Sequence, residues 1–349
     1  MSCMEKREGI IAAGNWIVDR VKKIDVWPER GMLANILEES VGTGGAPYNV
    51  LIDLAKLKAG IPLYAAGIVG NDASGKFILK DLRANRIDIT AMRMTGMLPT
   101  SYTDVMTEMR SGARTFFHCR GANALLDIGH LNAIDCSARI FHLGYLLLLD
   151  RLDAPDARFG TRWGRLLAQL SKQGYKTSVD VVSEHGSRFK KVVSPVLKHV
   201  DYLILNEIEA GAVSGYRIRD ARNNLNSQNL QQAAAWLLGQ GVRERVVIHF
   251  PEGGYAMTHE GDAGFEPSYH LEPHDIRGTA GAGDAFCAGM LFAIHECSTL
   301  KEALRFANAC AAFCLKDATC TGSAPTLSAV KKYLKCARQN KSPAGFQPI

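Results

Sequence analysis

The run Gly278-Thr279-Ala280-Gly281-Ala282-Gly283-Asp284-Ala285-Phe286 holds the residues of this chain best suited to chemistry. Its small residues let backbone N–H groups face outward, and a helical pattern, Phe286 to His295, follows at once. The unpaired amides of a helix start and the positive end of its dipole both favour a phosphate. An ionised Asp inside such a cradle repels phosphate, so binding alone does not explain it. It is explained if a hydroxyl attacks the phosphate and must lose its proton. Asp284 is then the base, and Gly281, Ala282 and Gly283 hold the anion. The pattern predicts phosphoryl transfer.

Three weaker patterns fit around this one. Gly42-Thr43-Gly44-Gly45-Ala46-Pro47 enters a helix carrying Asn49 on its first turn. The glycine pair lets the backbone approach a polyhydroxylated ligand, and Asn49 both donates and accepts; a common glycine-rich turn is the alternative. Asp19, just past the first strand and Gly14-Asn15, suits sugar hydroxyls at the C-terminal edge of a sheet, or is a solvated loop acid. Asn206-Glu207-Ile208-Glu209 follows a strand. Asn206 and Glu209 either cap a helix or order the water shell of a phosphate-bound Mg²⁺.

The elements that must position these residues follow from periodicity. Apolar strand candidates are 9–13, 63–68, 139–143, 177–182, 202–205 and 246–250, several apolar throughout, as strands covered on both faces are. Helical patterns lie at 48–58, 74–86, 162–173, 230–241, 285–294, 300–316 and 327–337. The alternation predicts a mostly parallel α/β sheet flanked by helices. Segments 18–39 and 101–119 break the rhythm as β-ribbons and are placed together as a small lid. A lid excludes water that would hydrolyse an activated phosphate. Its apolar Trp27, Met32 and Phe116 point alternatively to a second subunit, a homodimer through the lid.

With 349 residues and 22% charged side chains, the chain can bury a sizeable core. The formal charge of +6 is modest and dispersed, which argues against nucleic acid as partner. Nine cysteines without C-x-x-C spacing read as buried reduced thiols, in keeping with a reducing cytoplasm. The polar start, Met1 to Gly9, has no signal-peptide core, and the run Leu143 to Leu149 is too short to cross a bilayer. A soluble cytoplasmic protein is expected.

Together these blocks resemble the ribokinase-like (PfkB) carbohydrate kinase family over nearly the whole chain. The residues that carry the resemblance are Gly44, Gly45 and Asn49; Gly67-x-Val69-Gly70-x-Asp72-x-x-Gly75; Asn206-x-x-Glu209; and Gly281-Ala282-Gly283-Asp284-Ala285-Phe286. The resemblance implies a three-layer α/β/α sandwich with a β-lid, as one domain over 1–336. The lid would comprise about 17–43 and 98–121, with a loose tail at 337–349. It implies ATP with Mg²⁺ and a small-sugar acceptor phosphorylated on a hydroxymethyl group, closest in motif to fructokinase and keto-deoxy-sugar kinase members. Asp284 corresponds to the catalytic base and Gly281 to Gly283 to the anion hole. Asn15, Asp19, Gly44, Gly45, Asn49 and Arg120 fall to the acceptor, with Arg114 a second lid arginine able to serve a phosphosugar. Asn206 and Glu209 would organise Mg²⁺ through water, and His249, Glu252, Gly254, Gly283 and Asn308 would hold the nucleotide.

The chain departs from the family at three places. Gly278 stands where an Asp associated with monovalent-cation binding is usual, which leaves K⁺ dependence open. His249-Phe250-Pro251 replaces Thr-x-Gly in the nucleotide loop. No Lys follows Gly44-Gly45. A nucleoside kinase of the same family, with Trp16 and Tyr48 as stacking aromatics, is the alternative within the class. A non-catalytic sugar or nucleotide sensor is the alternative outside it. A nicotinamide-dependent oxidoreductase is disfavoured because Ala12-Ala13-Gly14-Asn15-Trp16 lacks G-x-G-x-x-G.

Overall fold

A computed structural model describes residues 7–182 and 188–349. The first strands are β1 (Ile10–Gly14), β2 (Ile17–Ile24), β3 (Ile36–Gly44), β4 (Leu63–Gly70) and β5 (Asp88–Thr95). They are followed by β6 (Ser101–Glu108), β7 (Arg114–Cys119), β8 (Ile140–Leu146) and a minor hairpin, β9 (Pro155–Asp156) and β10 (Gly160–Thr161). The last are β11 (Lys176–Val181), β12 (Tyr202–Asn206), β13 (Arg245–Phe250), β14 (Gly253–Thr258) and β15 (Ala263–Pro267).

Nine strands form one sheet in the order β15-β14-β13-β12-β11-β8-β1-β4-β5. It is parallel from β13 to β5 and ends in two antiparallel strands, β14 and β15. Alternate side chains of β1 show why its sequence is apolar throughout. Ile11 and Ala13 enter one core with Phe141, Leu143 and Trp163, while Ile10 and Ala12 enter another with Leu51, Met290 and Leu291. A strand alternates faces, so two cores mean helices on both sides.

Because β1, β8, β11, β12 and β13 all run the same way, their C-terminal ends form one edge. That edge presents Asn15, Tyr145, Asp180, Asn206 and His249, and an open parallel sheet binds ligands outside it. Above the edge, β3-β2-β6-β7 make a separate four-stranded sheet, with β2 and β6 parallel and the outer pairs antiparallel. Only Asn15 and Trp16 separate β1 from β2, so this sheet is tied directly to the edge. Phe116 of β7 is exposed, as are Trp27 and Met32 in the connection between β2 and β3.

Several sequence expectations are corrected. Strands β5, β14 and β15 were not among the candidates: β14 opens on two glycines, and β5 mixes charge and polar residues because it lies at the sheet edge. The tail at 337–349 is not loose. Phe346 is only 8% exposed and stacks on Phe265 and Phe250, and Ile349 N–H donates to Phe265 O. One aromatic anchor outweighs a polar composition. The cysteines divide, with Cys287, Cys310 and Cys314 buried but Cys297 and Cys336 exposed. Among the described residues no helix is long and apolar enough to cross a membrane.

Candidate active site

The helix Ala282–His295 starts three residues earlier than its apolar pattern suggests. Gly281 is its N-cap at φ +81°, and a Cβ there would lie 2.6 Å from Cys320 O, so only glycine makes this turn. Ala282 and Gly283 therefore supply first-turn amides, and Asp284 is the third residue, where the dipole favours negative charge. Asp284 is 8% exposed. Asn49 Nδ2 donates to one carboxylate oxygen at 2.7 Å and the Tyr145 hydroxyl to the other at 3.1 Å. Burial raises the Asp284 pKa, and these two donors oppose it. The result is an ionisable carboxylate held by two donors at a helix start.

Asn49 is fixed in turn by the glycine pair. Gly45 caps the helix Ala46–Leu57 at φ +90°, and its Cα packs so closely that a Cβ would meet Asn15 O at 1.9 Å. Gly44 presents its backbone to Asp19, whose Oδ2 would lie 2.2 Å from a Cβ. Asp19 titrates near 6, raised first by burial and then by the charge of Asp284, against a Thr103 hydrogen bond. Asn49 Oδ1 is buried without a partner, an acceptor that a ligand hydroxyl would satisfy. Asp19, Gly44, Gly45, Asn49 and Asp284 thus come together.

The other acceptor candidates do not join them in the same way. Asn15 is fully buried; its Oδ1 accepts from Tyr145 N–H at 2.7 Å and its Nδ2 donates to Leu148 O at 3.3 Å, so it positions Tyr145. Arg120 donates to Leu147 O and pairs with Asp150. Neither aromatic is a stacking platform. Trp16 is fully buried with its indole N–H on Ala66 O, and the Tyr48 hydroxyl is bonded to Asp81.

On the far side of the anion turn lies a cavity of about 440 Å³. His249, Phe250, Tyr269, Ile276, Gly283 and Asn308 contribute to its mostly apolar lining. Its size and position suit a nucleobase with phosphates at the helix start. His249 packs on Phe286 and lies against Gly283, and burial pushes its pKa down to about 4, so the ring is neutral. Asn308 Nδ2 holds Glu266 O and Pro267 O. Glu252 and Gly254 are not in the lining. Glu252 is bound by Arg219, which also binds Glu207 on the cavity wall, and Gly254 packs on Phe286.

Asn206 and Glu209 form a capping box on the helix Glu207–Ser214, with Asn206 N–H donating to Glu209 Oε2 at 3.0 Å. Capping is therefore established for this pair. Two acids that sequence reasoning missed stand nearby. Asp180 is buried, and burial followed by the charges of Glu209 and Asp284 raises its pKa well above the usual carboxylate range. Asp53, 5% exposed, has no hydrogen-bond partner for either oxygen. Tyr145 and Asp180 each lie near the C-terminal end of a buried parallel strand, a position too common on its own to mark a site.

A family model described as pfkB family carbohydrate kinase matches residues 15–327. The chain belongs to the PfkB family of carbohydrate kinases. It is accordingly a phosphotransferase with an alcohol group as acceptor. A ribokinase of Arabidopsis thaliana is 25% identical over 335 residues, covering 93% of this chain and 81% of that protein. A 5-dehydro-2-deoxygluconokinase of Clostridium perfringens is 24% identical, covering 84% and 83%. The structure of Arabidopsis thaliana ribokinase complexed with ribose and ATP superposes with a TM-score of 0.77 at 22% identity, covering 95% of this chain and 99% of that one. The fold is therefore that of the ribokinases.

Proposed function

We propose that this PfkB kinase transfers the γ-phosphoryl group of ATP to a hydroxymethyl group of a small fructose-, ribose- or ketodeoxysugar-like acceptor. The observation that carries the reading is Asp284: an ionisable carboxylate held by Asn49 and Tyr145, with Asp19 and the Gly44-Gly45 turn on one side and an apolar cavity of about 440 Å³ beside the anion turn on the other. Asp284 takes the proton of the attacking hydroxyl. The sugar oxygen bonds to the γ-phosphorus, the bond from that phosphorus to the β,γ-bridging oxygen breaks, and ADP leaves with the electron pair. The amides of Ala282 and Gly283 meet the charge that develops. Asn206, Glu209 and Asp180 form an acidic and amide group suited to the water shell of Mg²⁺, which would neutralise phosphate charge when bound. The test is ADP release over a panel of fructose, ribose, 2-keto-3-deoxygluconate and adenosine. Release with a sugar supports the reading, and release with adenosine alone contradicts it.

The residues do not fit a monovalent cation beside Gly278. A Cβ at Gly278 would lie 3.0 Å from Asp317 O, so this glycine packs on backbone. Two neighbouring carbonyls already have donors: Cys320 O accepts from the Cys314 thiol at 3.1 Å and Thr321 O from Lys56 Nζ at 2.6 Å. Replacing KCl by tetramethylammonium chloride in the same assay is therefore expected to leave turnover unchanged within about twofold, under 0.5 kcal/mol of barrier. A tenfold dependence on K⁺ would contradict this.

Asp19 gives a pH signature. Its pKa is about 6 folded against 3.8 unfolded. Between those values the folded chain holds the extra proton, so this group's contribution to stability falls as pH rises from 3.8 to about 6 and stays lost above. Asp19→Asn is expected to raise the melting temperature at pH 8, by an amount worth about 1–3 kcal/mol, with no gain near pH 4. It should also weaken sugar binding, since a neutral amide replaces a carboxylate that accepts from hydroxyls. An unchanged melting temperature at pH 8 would show that Asp19 is not under electrostatic strain.

A further inference from the structure

The cleft contains positive charge that the mechanism above leaves unused. Arg114 on β7 and Arg277 on the segment leading into the anion turn line one cavity of about 570 Å³, with Phe116, Gly278 and Thr279. Ile276 and Thr279 line both this cavity and the apolar one, so the two meet beside the anion turn. Both arginines are exposed, and among the described residues neither guanidinium has a hydrogen-bond or ion-pair partner. Elsewhere arginines near the cleft are engaged: Arg120 with Asp150, Arg219 with Glu207 and Glu252.

Arg114 also lies within electrostatic range of Cys320. The Cys320 thiol responds to its charge, and also to Asp284, Asp19 and Asp53. Cys320 in turn packs beneath Gly281, the cap of the anion turn. The surroundings of that turn are otherwise acidic, since Asp19, Asp53, Asp180 and Asp284 all act on one another or on common neighbours. A phosphoryl group moving toward such a cluster is repelled unless cations face it from the other side. A planar guanidinium presents a fork of donors matched to phosphate oxygens.

We propose that Arg114 and Arg277 bind the phosphoryl group during its transfer, with Arg114 carried to it by the lid. Closure of the lid over the acceptor and completion of the positive charge around the transferring group then become a single event. This rests on the sugar-kinase reading above. The arginines form no covalent bond and exchange no proton; they offset charge on the three non-bridging oxygens while the bond to the bridging oxygen breaks.

The test uses the full chain with Arg114→Gln, Arg114→Lys and Arg277→Gln. Both glutamine variants are expected to lower kcat roughly 10–10²-fold, at or below the loss of a buried oxyanion donor because these groups are exposed. The acceptor KM should change little, and Arg114→Lys should recover part of the loss. Calorimetry gives a readout independent of turnover. Affinity for a non-hydrolysable ATP analogue should fall about tenfold in Arg114→Gln while ADP affinity is kept, as expected for one lost charge-assisted contact to the terminal phosphate. Unchanged kcat and an unchanged analogue-to-ADP ratio would overturn the proposal while the kinase reading stands. So would a loss confined to sugar acids and absent with neutral sugars, which would assign the arginines to an anionic acceptor. Absence of ADP release by the unsubstituted protein with every sugar would sink the kinase reading and this proposal together.

Discussion

Asp284→Asn is expected to lower kcat by about 10²–10⁴, the usual worth of a positioned base, while leaving the fold and nucleotide binding in place. The amide is isosteric, but it has no charge to receive the hydroxyl proton. It also turns one of its two positions into a donor, which then faces the donor of either Asn49 or Tyr145. That second effect predicts a modest loss of stability, visible as a lower melting temperature. ATP affinity should change little or improve, because the carboxylate repels the phosphate it sits beside. Turnover within a few-fold of the unsubstituted protein would remove Asp284 from the mechanism.

Gly283→Val should act on the other substrate. A Cβ at this position would lie 3.0 Å from His249 Cε1, so the imidazole, already packed on Phe286, must shift. The branched side chain also crowds the first-turn amides that face phosphate. Loss of one well-placed donor and of cavity shape is expected to raise the nucleotide Kd at least tenfold, on the order of 1.4 kcal/mol or more. Sugar affinity, set at Asp19, Asn49 and the Gly44-Gly45 turn, should be unaffected. Calorimetry with ADP and with sugar separates the two, and a larger loss on the sugar side would contradict the assignment of the turn to phosphate.

The parts of the site legible in sequence are those where a local backbone demand fixes the residue type. Gly281 and Gly45 sit at positive φ with no room for a Cβ, and such positions announce themselves as glycine in any reading. Asp284 was legible because a carboxylate at a phosphate-binding helix start is out of place unless it reacts. Parallel strands were legible for the opposite reason, since burial on both faces leaves no polar residue in β1. Tyr145, Asp180 and Asp53 were not legible. Each acquires its meaning from groups far away in the chain, such as the Tyr145 hydroxyl on Asp284 139 positions away. Nothing local distinguishes such a tyrosine from any other at a strand end. Glu252 shows the converse. Its place in the nucleotide loop suggested a ligand contact, yet the neighbouring Arg219 claims both of its oxygens.

His249 illustrates how a substitution within a motif is absorbed. A ring at the end of β13 fills the space between Phe286 and Gly283, and burial keeps it neutral. Gly278 lies with its backbone against Asp317 and Ala318, where a side chain would crowd the Asp317 carbonyl.

Phosphorus-31 NMR of the protein with ATP, Mg²⁺ and each sugar follows the transferred group itself. The account predicts that the γ-phosphate signal is replaced by a phosphomonoester signal in equal amount with ADP, and that Asp284→Asn suppresses this conversion. Appearance of inorganic phosphate alone, or no change with any sugar, would contradict it.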